Sequence, residues 1–468
     1  MGLLGSYFGN VTVPQFLQRD PSPWTTILHA WSSLCLIMPI IFLIAVARLI
    51  GNRIGSGILG MHFIRYLTEG VIIIGPTLLM MVKYYEYGDY YTWICCTIMV
   101  IAAVAGLTKK PHKQLYLLGG HQPYVFKVNR AMIYILALVA LLAQGFSSFP
   151  KYLQRTYGYG ISLLDLDAGL YVFAMASISR TSSTHSHLLT NYWFYTPMAG
   201  LALARMALIK LVMMRGESEK RPSDDVLSNY FLAITVAIII GCFMCDRIRH
   251  YRRQVWAGMA ILTLHEIVLQ VFTSEYALDN KTERGNIFAA NKEAFLSIPG
   301  FLALFLLSIA FGNFLRSRKR GVPYVVFLQR AKSIVETCLF SWAVTLYAIF
   351  TTSIAPITCN FGYVAWVFAI GLSITLVNMF VFNFITNTRK YTDDLLHPTN
   401  EVLPSFVSSI NKNGIICYVF ACILKFWVDA MLEPRWRSEN ETFYILSLAM
   451  LSVAILSYLL THLTLFYN

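Results

Sequence analysis

The chain has 468 residues, of which 57% are hydrophobic and only 13% are charged. Soluble globular domains carry roughly 25% charged residues, so this composition excludes an ordinary soluble domain and indicates a membrane protein. The formal net charge is +13, but the basic residues are spread among short polar segments without a folded basic face. This distribution argues against a nucleic-acid partner and favours the anionic lipid of a bilayer.

Thirteen apolar segments are long enough to cross a bilayer as helices, which takes about 20 residues each. The connections between them are short, so we predict an all-α, polytopic membrane helical bundle that forms a single domain over residues 1–468. The third segment is short and the fifth contains Asp165 and Asp167, which makes these two the least typical. In chain order the segments are residues 25–49, 64–83, 90–107, 131–149, 161–178, 190–214, 224–244, 254–273, 294–313, 331–351, 361–386, 414–432 and 442–466.

Two patterns predict the same orientation in the membrane. Lys and Arg residues accumulate after the odd-numbered spans, and the positive-inside rule places those segments in the cytosol. The N-glycosylation sequons at Asn10, Asn280 and Asn440 fall on the opposite side. We therefore expect a lumenal N-terminal tail over residues 1–23, a cytosolic C-terminus and a first span that is not a cleaved signal peptide. The predicted cytosolic loops lie near residues 108–130, 245–253, 314–330 and 387–413.

The cysteines do not form a metal-binding pattern. Most of the nine lie inside or at the ends of predicted spans. Cys242 and Cys245 have the spacing of half a zinc site but lack a second ligand pair. We predict no metal site.

The stretch from Phe149 to Gly169 gathers many polar residues at a predicted membrane edge. It reads FPKYLQRTYGYGISLLDLDAG and contains two bases, three tyrosines, two acids and three glycines. This composition predicts either a lipid-headgroup site or a packed interfacial turn. Asp165 and Asp167 are two positions apart and so point to different faces of a helix. Alternatively, both acids simply occupy a first helical turn, where the helix dipole favours negative charge.

A second polar group, Asn291, Lys292 and Glu293, lies at the lumenal mouth of the ninth predicted span, on the same face as the first. Two polar clusters therefore converge on one side of the membrane. The alternative is an ordinary helix start, with Asn291 as N-cap and Glu293 in the first turn.

Other ionisable residues inside spans have simpler interpretations, although such residues are functional candidates by default. Lys425 and Asp429 are four apart on one helix and can neutralise each other. His265 and Glu266 are adjacent and diverge around the helix, which favours a buried interhelical hydrogen bond.

Several sequence motifs resemble one family of membrane enzymes, in the same order along the chain. They match the inositol acyltransferases of glycosylphosphatidylinositol (GPI) anchor synthesis, the PIG-W and GPI-anchored wall protein transfer family. The resemblance covers roughly residues 120–430. It is carried by Phe149-Pro150, Gly160, Ser162-Leu163, Asp165-Leu166, Gly169, Val172-Phe173, Ala290-Asn291-Lys292-Glu293, Gly300, Asn360-Phe-Gly-Tyr363, Trp366-Val367, Leu403-Pro404-Ser405 and Ile410-Asn-Lys-Asn-Gly414.

The chain also departs from the family pattern. The family carries an acid four residues before its Phe-Pro, where this chain has Gly145, and a lysine five residues after the Pro, where it has Arg155. The family has a histidine-containing motif at the start of its seventh span. In this chain only a partial match to that motif, without the histidine, is present at residues 224–231. Paired arginines are absent from residues 355–359.

The resemblance implies transfer of a fatty acyl group from acyl-CoA, as co-substrate and without a cofactor, to the inositol ring of glucosaminyl-phosphatidylinositol. It also implies thirteen spans and a lumenal N-terminus, and we expect a multi-pass glycoprotein of the endoplasmic reticulum. The reaction needs a base near the hydroxyl, donors for the thioester oxyanion and a groove for acyl tails. The candidate catalytic residues are Asp165, Arg155, Asp167 and Glu266, and the candidate substrate-binding residues are Lys151, Tyr159, Asn291, Lys292 and Glu293.

Arg155 stays protonated in proteins and Gly145 replaces the family acid, so the remaining candidate bases are Asp165, Asp167 and Glu266. Asp165 is the first choice, because it matches the Asp-Leu segment of the family motif and burial at the start of a helix would raise its pKa towards the working pH. Two alternatives remain open from the sequence. A catalytically silent relative would bind lipid without acylating it, and the missing acid and histidine would be its signs. An unrelated polytopic transporter would show inverted repeats or broken helices, and no internal repeat is evident.

Overall fold

The computed structural model describes residues 22–54, 59–87, 89–91, 93–94, 97, 100, 116–117, 124–156, 158–179, 188, 191–214, 230–273, 291–316, 321–386, 403–432 and 434–466. Within these ranges the chain forms twelve α-helices of at least 13 residues. They are α1 (Pro23–Ile54), α2 (Leu59–Val82), α3 (Tyr124–Ala143), α4 (Leu166–Ile178), α5 (Tyr192–Met214), α6 (Tyr230–Arg247), α7 (Tyr251–Val268), α8 (Lys292–Leu315), α9 (Tyr324–Thr351), α10 (Phe361–Phe380), α11 (Ser405–Met431) and α12 (Glu439–Phe466).

Shorter elements complete the described part of the chain. Single turns of 3₁₀-helix cover Tyr85–Tyr87, Lys151–Leu153 and Pro434–Trp436, and π-helical turns extend α7 over Leu269–Thr273 and α10 over Val381–Thr386. Two residues of β1 (Tyr116–Leu117) pair antiparallel with two of β2 (Gly321–Val322). The prediction of an all-α polytopic bundle is confirmed.

The number of spans differs from the thirteen predicted. Ten described helices, α1 to α3 and α6 to α12, are long and apolar enough to cross a membrane. The fifth predicted span became α4, whose 13 residues extend only about 20 Å against a hydrocarbon core of about 30 Å. The third predicted span, residues 90–107, falls mostly outside the described residues. Helix α5 lies where the sixth span was predicted, but it is not among the ten candidate membrane spans.

Four helices form the centre of the bundle. About 78% of the most apolar stretch of α3, α8 and α10 is buried, against 22–33% for α7, α9, α11 and α12. Nearly every residue of α4 is also buried. Gly169 of α4 allows this packing, because an added Cβ would lie 2.8 Å from Tyr363 Oη and 2.7 Å from Val367 of α10. The outer helices therefore present their apolar faces to lipid.

A buried ion pair fastens α2 to the start of α11. Glu69 is fully buried and pairs with Arg65 at 3.0 Å. Its Oε2 also accepts hydrogen bonds from Ser405 Oγ at 2.6 Å and from the Phe406 amide at 3.0 Å. The carboxylate thereby satisfies an amide of the first turn of α11, which has no intrahelical partner.

We expect Glu69→Ala to destabilise the protein by about 3–5 kcal/mol, because Arg65 would be left buried and unpaired. Thermal or chemical unfolding of the purified protein in one detergent measures this effect. Glu336→Ala is the matched control, because it removes an i,i+4 pair with Lys332 whose side chains are 63% and 79% exposed. Equal losses from the two substitutions would contradict the prediction.

Candidate functional site

The loop between α3 and α4, residues 144–165, folds back against the bundle. Its Gly160 has φ 135°, a conformation that glycine adopts without a Cβ clash. The Gly160 amide donates to Ile354 O at 2.7 Å, and the Leu164 amide donates to Leu153 O at 3.2 Å. The polar stretch is thus a packed turn fixed to the segment between α9 and α10.

Asp165 lies at the end of this loop, immediately before α4, and is 7% exposed. Its carboxylate accepts hydrogen bonds from Ser162 Oγ at 2.8 Å, Thr156 Oγ1 at 2.9 Å and the Thr156 amide at 3.3 Å. It does not cap α4 through its side chain. Burial raises the pKa of Asp165 to about 7, while the Ser162 and Thr156 hydrogen bonds act in the opposite direction. Near neutral pH this carboxyl group can therefore hold or release a proton.

Asp167 has a different partner, as expected from its spacing. Arg155 Nη2 lies 2.7 Å from Asp167 Oδ2. The guanidinium also lies 5.3 Å from the centre of the Tyr230 ring of α6, within the range of a cation–π contact. This arrangement places one positive group and one carboxylate beside Asp165.

The segment between α9 and α10, residues 352–360, joins the parts of the site. Two of its residues, Ser353 and Cys359, adopt positive φ angles of 57° and 50°, which are uncommon for residues with a Cβ. Asn360 stabilises the segment by donating to Ser353 O at 2.9 Å and accepting from the Ala355 and Tyr363 amides at 3.0 and 3.1 Å.

Tyr363, in the first turn of α10, connects that segment to Asp165. Its hydroxyl donates to Asp165 O at 2.6 Å and accepts from the Gly169 amide at 3.2 Å. Tyr363 is 1% exposed. The backbone that carries Asp165 is therefore held by a buried side chain from another helix.

His265 and Glu266 of α7 bind the same region. His265 Nε2 lies 3.0 Å from Thr358 O, and Glu266 Oε2 accepts from the Phe361 amide at 2.8 Å. His265 therefore makes the buried hydrogen bond expected from the sequence, but its partner lies in the segment between α9 and α10 and not on another helix. Glu266, a candidate catalytic residue, caps the start of α10 from outside.

The other predicted site residues are placed as follows. Asn291, Lys292 and Glu293 are all buried at the start of α8, and Asn291 makes no side-chain cap. Tyr159 is half-buried in the loop, and Lys151 begins its 3₁₀ turn. Of the sequons, Asn440 is exposed in the first turn of α12 and accepts from Lys83 Nζ at 3.1 Å, whereas Asn10 and Asn280 lie outside the described residues.

The structure adds one carboxylate that sequence reasoning set aside. A Cβ placed on Gly145 would lie 2.7 Å from Asp429 Oδ1, so the side chain of Asp429 fills the space above this glycine. Lys425 Nζ lies 3.7 Å from Asp429, and the i,i+4 spacing led us to interpret the pair as self-neutralising. The contact with Gly145 bridges 284 residues of sequence, and no local pattern predicts it.

Comparison with known proteins fits this arrangement. A family model described as GWT1 matches residues 25–460. The chain belongs to the GWT1 family. The resemblance found in the motifs is thereby confirmed, and the match covers every described element of the site.

Three curated relatives are similar to this chain at low sequence identity. "GPI-anchored wall transfer protein 1" of Cryptococcus neoformans var. neoformans is 21% identical over 382 residues, covering 73% of this chain and 62% of that protein. The protein of the same name from var. grubii is 24% identical, covering 68% and 59%. Human "Glucosaminyl-phosphatidylinositol-acyltransferase PIGW" is 21% identical, covering 69% and 70%. The chain thus spans about three fifths of the length of the two Cryptococcus relatives.

Proposed function

We propose that this protein transfers a fatty acyl group from acyl-CoA to an inositol hydroxyl of glucosaminyl-phosphatidylinositol, during GPI-anchor synthesis at the endoplasmic reticulum. Membership of the GWT1 family carries this proposal, together with the acyltransferase activity named for the human relative. The N-terminus is lumenal and the C-terminus cytosolic in this proposal, which places the α3–α4 loop on the lumenal side.

In the proposed reaction the inositol oxygen attacks the thioester carbonyl carbon. The hydroxyl proton moves to a carboxylate, the C–S bond breaks, and CoA leaves with the sulfur electron pair and takes up a proton. Asp165 is the proposed proton acceptor, and its pKa of about 7 supports that role. Arg155 supplies positive charge for the thioester oxyanion or the anionic headgroup.

Asp429 is proposed as a second required carboxylate. It lies against Gly145, the position at which the family pattern has an acid, and is 42% exposed. An accessible carboxylate there can accept hydrogen bonds from the hydroxyl groups of the sugar acceptor. The carboxylate of the family is thus replaced by one from α11.

The second candidate function is lipid binding without catalysis. The observation that favours it is the engagement of the three candidate catalytic carboxylates, Asp165, Asp167 and Glu266, in hydrogen bonds to the protein itself. Such a protein would retain the family fold and the headgroup contacts while leaving the thioester intact.

Complementation separates the two functions. A cell that lacks its own inositol acyltransferase accumulates non-acylated glucosaminyl-phosphatidylinositol, and expression of this protein is expected to convert it to the acylated form. Lipid extraction and mass spectrometry measure the conversion. Well-expressed protein in the endoplasmic reticulum that yields no acylated lipid with several acyl-CoA chain lengths would favour the silent relative.

Substitution of Arg155 tests the role of its charge. We expect Arg155→Lys to keep most of the acylation rate and Arg155→Ala to lose at least about tenfold, the effect of one charge-assisted hydrogen bond. Membranes with matched protein levels and a labelled acyl-CoA provide the measurement. Wild-type activity in Arg155→Ala would eliminate this role.

A further inference from the structure

The hydroxyl group of Tyr363 contacts the backbone of α4 at its first turn. Asp165 O and the Gly169 amide are four residues apart, which makes them the two groups that the first hydrogen bond of an α-helix joins. The Tyr363 hydroxyl donates to Asp165 O at 2.6 Å and accepts from the Gly169 amide at 3.2 Å. A side chain of α10 is therefore bonded to both ends of the turn that begins with Asp165.

The position of the Asp165 carboxylate depends on how this turn is held. The carboxylate accepts hydrogen bonds from Ser162 and Thr156, and both donors belong to the same α3–α4 loop. Contacts within the loop fix its internal shape but not its place in the bundle. The bond from the Gly160 amide to the segment before α10 holds the loop five residues before Asp165. Tyr363 holds it at Asp165 itself.

Tyr363 is in turn fixed by close packing. It is 1% exposed, and the centre of its ring lies 6.5 Å from that of Phe301 in α8 and 6.2 Å from that of Trp366 in α10. A Cβ placed on Gly169 would lie 2.8 Å from the Tyr363 hydroxyl oxygen, so a glycine at this position allows the hydroxyl to approach α4. A side chain packed in this way keeps one conformation and is shielded from a lipid substrate.

The first turn of α10, which carries Tyr363, has its own hydrogen-bond partners. Asn360 Oδ1 accepts from the Tyr363 amide at 3.1 Å. Glu266 Oε2, from α7, accepts from the Phe361 amide at 2.8 Å. These bonds satisfy amides that have no partner within the helix. The support on which Asp165 rests therefore extends from α4 through α10 to α7.

We propose that Tyr363 is a positioning residue, whose hydroxyl group holds Asp165 in place for proton transfer by bonding to the first turn of α4. The inference rests on the proposed function, in which Asp165 is the base. Tyr363 touches neither the acceptor lipid nor the acyl donor, and it moves no proton. A misplacement of about 1 Å can lower a rate roughly 100-fold, so loss of the hydroxyl is expected to slow the transfer step and to leave lipid binding intact.

Tyr363→Phe removes only the hydroxyl group. We expect kcat for inositol acylation to fall at least about tenfold, while the KM for a short-chain glucosaminyl-phosphatidylinositol stays within about threefold of wild type. Membranes with matched levels of folded protein and a labelled acyl-CoA provide the measurement. A smaller loss of kcat, or an effect confined to KM, would overturn the proposal.

The Asp165→Asn background separates positioning from a merely structural role. If Tyr363 acts through Asp165, Tyr363→Phe is expected to change the residual rate of Asp165→Asn by no more than about twofold, because no base remains to be positioned. A structural defect lowers the folded fraction and reduces the rate by the same factor in both backgrounds. Equal losses in the two backgrounds would therefore contradict a positioning role.

Tyr66→Phe is the matched control. Tyr66 of α2 is 2% exposed, and its hydroxyl donates to Ala454 O of α12 at 2.9 Å. The substitution removes the same kind of buried interhelical hydrogen bond at an interface that includes neither α4 nor α10. Acylation by Tyr66→Phe is expected to stay within about twofold of wild type. A loss as large as that of Tyr363→Phe would assign both effects to folding and overturn the inference.

Hydrogen exchange tests the contact without any turnover. Loss of the hydroxyl is expected to speed amide exchange in a peptide covering residues 162–172 at least about threefold, and to leave exchange in α9 unchanged. Unchanged exchange in residues 162–172 refutes the contact whether or not the protein is active. If Tyr363→Phe fails to fold, Gly169→Ala takes its place, because the added Cβ would displace the hydroxyl. The same loss of kcat, absent in the Asp165→Asn background, is then expected.

The two proposals fail in different ways. Wild-type protein that acylates the inositol lipid, with Tyr363→Phe equally active, refutes the positioning role alone. Wild-type protein that yields no acylated lipid refutes the enzymatic proposal, and the positioning role falls with it. In that case faster exchange in Tyr363→Phe would still establish that Tyr363 holds the first turn of α4.

Discussion

Asp165→Asn is expected to lower inositol acylation by about two to four orders of magnitude, the usual contribution of a positioned general base. Asparagine keeps the size of the side chain and one oxygen acceptor for the Ser162 and Thr156 donors, but it cannot take up a proton. The wild-type rate is expected to rise as pH increases through about 7, because the ionised carboxylate is the basic form. The variant's residual rate should not follow this profile.

The measurement is conversion of a short-chain glucosaminyl-phosphatidylinositol in membranes between pH 5.5 and 8.5, at matched protein levels. Asp246→Asn, at the opposite end of the bundle in the last turn of α6, serves as the control with wild-type activity. Full activity in Asp165→Asn would exclude this residue as the base and would leave Asp429, Asp167 or Glu266.

Substitutions that remove the Asp429 carboxylate, or move it to position 145, are expected to have the second large effect on the acylation rate. Asp429→Asn is expected to lower acylation at least about tenfold, since a hydrogen bond involving a charged group is worth about 1.5–3 kcal/mol. Gly145→Asp alone is expected to be worse, because its Cβ would lie 2.7 Å from Asp429 Oδ1 and two carboxylates would crowd one site.

The double substitution Gly145→Asp with Asp429→Gly is expected to recover activity to within about tenfold of wild type, because the carboxylate then occupies the same space from the other backbone. The assay is the one used for Asp165, with thermal unfolding as the check on folding. If Asp429→Asn equals wild type, or if the double variant is no better than Gly145→Asp, the carboxylate at this position has no role in the reaction.

Local sequence patterns predicted the features that depend on neighbouring residues. Runs of apolar residues predicted the helical bundle. The spacing of Asp165 and Asp167 predicted that the two acids point in different directions, and they do bind different partners. The dense polarity of residues 149–169 indicated a packed turn or a headgroup site, and the packed turn is present.

The features that sequence reasoning missed depend on contacts between distant residues. The contact of Gly145 with Asp429 joins the α3–α4 loop to α11. Within the sequence of α11 alone, the only pattern around Asp429 was the lysine four positions before it. Ser353 and Cys359 adopt left-handed backbone conformations, which usually mark a glycine in the sequence, and neither residue is a glycine. The hydrogen bonds of Asn360 stabilise this turn instead. The length of α4 was overestimated because residues 161–165 are apolar enough to extend a span, yet they belong to the loop.

The short α4 sets the depth of Asp165 within the bundle. Its C-terminal end is level with that of α8, because Arg316 donates to Ser177 O, Ile178 O and Ser179 O. At the other end of α4, the backbone oxygen of Asp165 accepts a hydrogen bond from the Tyr363 hydroxyl. The centres of the Tyr363 and Phe301 rings are 6.5 Å apart. Phe301 is nine residues after Lys292, the first residue of α8, which corresponds to about 13 Å along the helix. Asp165 therefore lies roughly two helical turns further into the bundle than the first residue of α8, and in the proposed function the inositol hydroxyl must reach that depth to meet the carboxylate.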